Sequence, residues 1–250
     1  MKFILISLFM HSFLLGDISP IIYNEEERDI KLKENEKAIL KPGADISKVT
    51  MTDTTEMIID GDVKITHMYI EKKSKVQIKN LSAISYLTLF DESELFISKT
   101  SSGTVFNLDL YDNSHISING IKLSFLNLYD SSEANITKLV FNGERFSLGD
   151  INIRGGAIVF MENSIINLYA DNVKFNNGKL TGYWKDGSKF SFSLIKNISK
   201  KPIKTRKVNV KTPVARAMIR LGQHGVNEQY SAPTSMPSQI IVHKAIESKY

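Results

Sequence analysis

Apolar and polar residues alternate along most of the chain with a period of two, and the alternation breaks at regular intervals. The pattern Leu-x-Leu-aromatic-Asp-x-Ser-x-apolar-x-Ile occurs in three near-copies, at residues 87–97, 108–118 and 126–136. A period of two is typical of strands that bury one face. Asp and Ser favour turns, because their side chains bond nearby backbone groups. Each copy therefore predicts a strand, a sharp corner and a second strand.

Weaker copies of the pattern extend the repeat on both sides. The second Leu of the three strong copies advances by 21 and then by 18 residues, and weaker copies lie at 68–78, 146–150, 166–171 and 184–192. One unit cannot bury its apolar face alone, so we expect successive units to stack about 4.8 Å apart around a common core. The sequence thus predicts an all-β fold, with a parallel β-solenoid (β-helix) over residues 57–195.

An antiparallel sandwich or barrel is the alternative fold, since strand spacing alone permits it. The fixed positions of Asp and Ser favour the solenoid, because stacked rungs need identical corners whereas hairpins do not.

The segments before the repeat have other compositions. Residues 1–16 combine Lys2 with an apolar run that ends at Gly16, which is typical of a secretory signal peptide. The alternative is a buried N-terminal strand or helix. Residues 17–56 carry no clear copy, and we expect them to form an N-terminal cap over the first rung. Beyond residue 16 the apolar runs are too short for a transmembrane segment, so a secreted, extracellular or cell-surface location is expected.

Charge divides the chain into two parts. Residues 196–250 hold 11 Lys and Arg against two acids, a net charge of +9, whereas residues 1–195 hold 21 against 25, a net charge of −4. Four of the six prolines lie in the basic part. This composition predicts a flexible, largely irregular tail over 196–250.

The densest basic cluster of the tail predicts a binding site for a polyanion, such as an acidic or sulfated polysaccharide, teichoic acid, anionic lipid or DNA. Its candidate residues are Lys200, Lys201, Lys204, Arg206, Lys207 and Lys211. A solvated linker is an equally simple interpretation. Self-association is a third, because the repeat body is acidic.

Catalytic chemistry has little support in the sequence. The absence of Cys excludes disulfides, thiolate metal sites and Cys nucleophiles, and the histidines lack metal-ligand spacing. No cofactor is predicted. Calcium is the candidate cation, because Asp91, Asp112 and Asp130 recur at one corner and carboxylates suit a hard cation. The same acids could instead cleave a polysaccharide, or serve as turn residues that bond the backbone, and we favour the last role.

Aromatic residues precede the corner acids and interrupt the inward alternation. They are expected to form an outward stripe that could stack on sugar rings or on an extended partner. The stripe comprises Phe90, Tyr111, Tyr129, Tyr169 and Trp184. Cover by a terminal segment is the simpler alternative.

The units at 108–118 and 126–136 resemble the repeats of the GIN or autotransporter-adhesin-head family of bacterial surface proteins, although this chain has Asp-x-Ser where that family has Gly-x-Ser. The resemblance implies a right-handed solenoid and a role in surface display, adhesion or structure. We therefore expect a secreted, non-enzymatic surface or coat protein that binds polysaccharide, cell wall or another surface protein. The alternatives are a carbohydrate-active β-helix enzyme and a self-assembling wall or spore-coat protein.

Overall fold

The computed structural model describes residues 19–98, 103–141, 143, 145–148, 151–198 and 229–245. Throughout these residues the ordered elements are strands. No helix in this part of the chain has the length and apolar character to span a membrane. In chain order the strands are β1 Ile21–Tyr23, β2 Glu26–Leu32, β3 Lys37–Leu40, β4 Asp45–Met51, β5 Glu56–Asp60, β6 Lys64–Ile70, β7 Lys75–Asn80, β8 Ala83–Leu89, β9 Glu94–Ile97, β10 Thr104–Leu110, β11 His115–Leu128, β12 Glu133–Phe141, β13 Arg145–Leu148, β14 Ile151–Arg154, β15 Ala157–Phe160, β16 Ile165–Tyr169, β17 Asp171–Asn176, β18 Lys179–Tyr183, β19 Lys189–Asn197, β20 Tyr230–Ser231 and β21 Ile240–His243.

The strands stack in two columns, one on each side of the repeated corner. Face A contains β1, β3, β5, β7, β9, the first parts of β11 and β12, β16 and β21. Face B contains β2, β4, β6, β8, β10, the second part of β11, β15 and β19. Each pairing within a column is parallel and joins one turn to the next. The predicted parallel β-solenoid is confirmed.

Identical positions of successive repeats lie directly above one another. On face B, Met68 pairs with Leu87, Leu87 with Leu108, and Leu108 with Leu126. All four side chains are fully buried in one continuous core. Burial of one such side chain contributes about 2 kcal/mol. Every rung therefore stabilises its neighbours, and the fold is held by stacking without covalent links.

The solenoid begins before residue 57, so the expected separate cap over 17–56 is wrong. Strands β1 and β2 pair in parallel with β3 and β4, which in turn pair with β5 and β6. These first rungs escaped detection because their corners lack the aromatic-Asp-x-Ser signature. The corner over 33–36 reads Lys-Glu-Asn-Glu, and that over 52–55 reads Thr-Asp-Thr-Thr.

The weaker copies downstream of residue 136 were placed incorrectly. The rung after Leu126 comes 32 residues later, at Ile158. The antiparallel hairpin of β13 and β14 intervenes, and the copy at 146–150 falls in this hairpin. Ile166 pairs with Ala134 on face A, half a turn from its expected place on face B. The copy at 184–192 spans the turn between antiparallel β18 and β19.

The C-terminal end of the solenoid is closed partly by strands of the tail. Strands β17, β18 and β19 form an antiparallel meander over the last rung. Strand β20 pairs antiparallel with β19, and β21 pairs in parallel with β16. Two short strands of residues 229–245 thus belong to the fold, and the tail residues 199–228 lie outside the described residues. Ile240 of β21 fills an inward position and is buried.

Candidate functional site

The repeated corner has an unusual backbone conformation. Asp91, Asp112 and Asp130 have φ values of 58°, 59° and 54°. This left-handed region disfavours most L-residues but is tolerated by Asp and Asn, whose short side chains bond locally. The tight corner is closed by backbone bonds of 3.2 Å, as from Ser93 N–H to the Phe90 carbonyl. Asp recurs in the sequence because the corner requires this conformation.

Each corner carboxylate bonds the backbone of the preceding rung. The N–H of Lys72 donates to Asp91 at 3.0 Å, that of Asp91 to Asp112 at 3.1 Å, and that of Asp112 to Asp130 at 3.3 Å. The acids therefore link rungs along the corner. Their role as backbone-bonding residues is observed, although the bond reaches one rung away and not within the same turn as expected.

The corner acids do not converge on a shared point. Successive acids are one rung apart, and one oxygen of each carboxylate accepts a hydrogen bond from a backbone N–H. Among the described residues no group of three or more His, Asp or Glu side chains is arranged to hold a metal ion. Among the described residues the geometry thus gives the calcium hypothesis no clustered ligand set.

The aromatic residues of the corner are buried, so the expectation of an exposed stripe is wrong. Phe90, Tyr111 and Tyr129 are 0%, 1% and 5% exposed and form a cluster with Tyr69 that is separate from the main core. The Tyr111 ring stacks on Phe90 at 5.3 Å and on Tyr129 at 4.7 Å between centroids. These side chains leave the core as the alternation predicted, but they form a second buried layer in which stacking stabilises the corner.

The last two residues of the predicted stripe lie elsewhere. Trp184 belongs to the main core, where its ring packs on Phe190 at 4.3 Å. Tyr169 is half-buried on β16 and stacks on His243 of β21 at 4.7 Å. The five aromatic residues are therefore distributed over three environments, and the structure does not bring them together as one ligand surface.

A buried carboxyl group on face B was missed by the sequence analysis. Asp109 is buried on β10 between the side-chain amides of Asn107, which donates at 2.7 Å, and Asn127, which donates at 2.6 Å. Burial raises the pKa of Asp109 to about 6, while the two amide bonds oppose the shift. Burial, together with Asp109, also raises the pKa of Tyr69. The sequence signal was an Asp between two inward leucines, where the alternation alone predicts an exposed side chain.

Face A carries a column in which basic and acidic residues alternate. In register order its members are Lys37, Glu56, Lys75, Glu94, His115 and Glu133. Lys37 lies 3.1 Å from Glu56, and Lys75 lies 3.3 Å from Glu94. Partly exposed pairs of this kind each contribute at most about 1 kcal/mol.

A polar ladder continues face A towards the C-terminal end. Asn167 donates to Glu133 at 2.8 Å and to Asn135 at 2.9 Å, and its oxygen lies 3.1 Å from His243 Nε2. Further round the end, Lys138 bonds Asp186 and holds the pKa of that carboxyl well below its usual range. These contacts tie β21 and the meander to the solenoid.

An open apolar groove of about 410 Å³ lies beside β21. Its walls include Val173, Phe175, Met236 and Val242, with Asp171 and Lys244 at its polar margin. Asp171 accepts a bond of 3.3 Å from the N–H of Ala245.

The predicted polyanion site lies outside the described residues, as do residues 1–16. It comprises Lys200, Lys201, Lys204, Arg206, Lys207 and Lys211. No family model, no curated protein and no solved structure matches the chain.

Proposed function

We propose that this protein is a secreted, non-enzymatic β-solenoid of a cell surface or coat, which attaches to an acidic surface through its basic segment 200–211. The observation that carries the proposal is the use of the corner acids. Asp91, Asp112 and Asp130 each accept a bond from the backbone of the preceding rung, so the most regular chemical feature of the chain serves stacking.

The division of charge supports attachment through the tail. Residues 196–250 carry a net charge of +9 next to a body of −4, and clustered cations attract polyanions more strongly than dispersed ones. The chemistry favours acidic or sulfated polysaccharide or cell-wall polymer as the partner. The resemblance of the repeat to GIN or autotransporter-adhesin-head units supports display at a cell surface.

Deletion of the whole tail is a poor test, because it would also remove β20 and β21 from the fold. The better variant replaces six cations with Gln at Lys200, Lys201, Lys204, Arg206, Lys207 and Lys211. We expect it to elute from heparin resin, and from resin bearing an acidic polysaccharide, at a markedly lower NaCl concentration than the wild type, since counterion release scales with the number of contacts.

A matched control replaces six exposed lysines of the solenoid and its C-terminal meander with Gln and so has the same net charge. The control positions are Lys31, Lys33, Lys64, Lys122, Lys174 and Lys179. The control is expected to elute close to the wild type. Equal elution of all three proteins, or an equal shift of both variants, would contradict attachment through segment 200–211.

A further inference from the structure

In the part of the chain that the structure describes, face A ends in an open strand at each end of the solenoid. Its first strand is β1 and its last is β21, and all strands between them run parallel. Within the described part of the chain, β1 pairs only with β3, and β21 pairs only with β16. Open edges of this kind are templates for a further strand.

The backbone groups at the two edges are complementary. The carbonyl of Tyr23 accepts from Lys41, so the neighbouring Ile22 directs its N–H and C=O away from the solenoid. At the other end the carbonyls of Gln239 and His243 accept from β16, so the Val242 N–H points outward. If β1 of a second copy continued the register of face A, it would lie beside β21. Its Ile22 would then be opposite Ile241. Val242 N–H would then donate to the Ile22 carbonyl, and Ile22 N–H to the Ile240 carbonyl.

Apolar side chains at both ends occupy inward positions that no rung of the described residues covers. Ile21 pairs with the buried Ala38 but is 43% exposed. Val242 pairs with the buried Leu168 but is 41% exposed. Ile22 and Ile241, at 60% and 43% exposed, occupy the same outward column and would meet across a junction. A further rung would bury all four.

The charges of the two ends are opposite. Residues 19–36, which form the first turn, contain six acids and three bases, whereas residues 171–198 contain five Lys and two Asp. The acids Glu26, Glu27 and Asp29 of β2 are exposed. Opposite charges attract two such ends, while like ends repel each other.

We propose that the C-terminal end of one molecule binds the N-terminal end of a second copy, with β1 of the second copy added in parallel to β21 of the first. The apolar groove beside β21 receives Ile21 and Tyr23 of the incoming strand. Strand addition of this kind gains affinity from main-chain bonds and specificity from the pockets alongside. Because the two contacting surfaces differ, the contact is heterologous and repeats as an open stack. This inference is independent of the proposed function of the tail.

Two proline variants test the contact. Ile22→Pro and Val242→Pro each remove an outward N–H, and proline is tolerated at an edge where the N–H faces solvent. The N-terminus of the purified protein is first determined by mass spectrometry. In sedimentation velocity, the average mass of the wild-type particles should then increase with protein concentration. Each variant alone should remain at the mass of one chain. An equimolar mixture should form dimers and nothing larger, since only one junction is intact.

Controls separate loss of pairing from loss of folding. Ile22→Ala keeps the N–H and should retain association, weakened several-fold by the lost side-chain contact. Circular dichroism and thermal unfolding of each variant should match the wild type. Raising NaCl from 0.05 to 0.5 M should weaken wild-type association, because the attracting charges are exposed.

Three results would overturn the proposal. A wild type that stays monomeric up to about 1 mM would show that the edges are covered, for example by residues of the same chain. Persistent association of one proline variant alone would indicate a contact between like ends. Larger assemblies in the mixture would show that another surface joins the molecules.

Discussion

At the scale of single residues, the corner explains why Asp recurs. The residue at this position must adopt a left-handed backbone conformation, and its side chain must accept a hydrogen bond from an N–H of the preceding rung. Asp112 satisfies both, with a φ of 59° and a bond of 3.1 Å from Asp91. Few residue types can do so, and this restriction produced the repeat that was visible in the sequence.

Substitution at Asp112 separates the two demands. Asp112→Asn keeps an acceptor oxygen and the tolerance for positive φ, so its unfolding free energy should remain close to that of the wild type. Asp112→Gly keeps only the backbone freedom and should lose about 1 kcal/mol. Asp112→Ala loses both and should lose about 2–3 kcal/mol. Urea denaturation followed by circular dichroism gives the order, and a more stable Ala than Gly variant would refute this account of the corner.

Asp109 makes stability depend on pH. Its pKa is about 6 in the folded state, against an ordinary value of 3.8. Between these values the folded protein binds more protons than the unfolded chain, so the unfolding free energy decreases as pH rises from about 4 to about 6. The difference between these two pKa values corresponds to about 3 kcal/mol of unfolding free energy.

Asp109→Asn should remove this contribution and flatten the profile over that pH range. Asp45→Asn, at the exposed start of β4, is the matched control and should leave the profile nearly unchanged. The measurement is the unfolding free energy at several pH values from 3.5 to 7.5. Parallel profiles for wild type and Asp109→Asn would contradict the role of this buried group.

At the scale of elements, β21 is expected to stabilise the last rung of face A. Termination after residue 228 would remove β20 and β21 and would expose Ile166 and Leu168, which are now buried against β21. We expect a lower melting temperature and faster amide exchange in β16. Termination after residue 245 removes no described strand and is the control. Equal melting temperatures for the two truncated chains would show that β21 contributes no stability.

The elements also show where prediction from sequence succeeds and where it ends. The three strong copies were placed correctly, because their inward leucines and their corner are fixed by the same stacking. The rung at 158–168 was missed, since its corner reads Met-Glu-Asn-Ser and lacks the Asp, and since the hairpin of β13 and β14 lengthens the spacing to 32 residues. Local alternation cannot reveal an insertion between rungs.

The burial of outward side chains was equally beyond the sequence. The alternation correctly predicts that Phe90, Tyr111 and Tyr129 point away from the main core. Whether these outward side chains are covered depends on tertiary contacts. Asp109 illustrates the same limit, because its raised pKa arises from burial that no local pattern encodes. The open edges at β1 and β21 could be located only once the order of the strands was known.

At the scale of the whole molecule, the stacking of one rung on the next both stabilises the solenoid and determines which surfaces can bind a second copy. Each inner rung is stabilised by the rung before it and the rung after it, whereas each terminal rung has such a neighbour on one side only. The meander and β20 complete face B at the C-terminal end, while face A ends at β21. The proposed attachment through segment 200–211 and the proposed growth through β1 and β21 therefore use separate parts of the chain.

The alternating column on face A has a further consequence for how the chain finds its register. In the native order Lys75 stands between Glu56 and Glu94, and Lys37 stands beside Glu56. If a rung were skipped during folding, Lys37 would face Lys75 and Glu56 would face Glu94. Apolar columns of similar residues would hardly oppose such a skip, whereas like charges in direct contact do. The column thus disfavours alignments in which the rung of β5, β7 or β11 has been left out, because each of these alignments brings two like-charged side chains together.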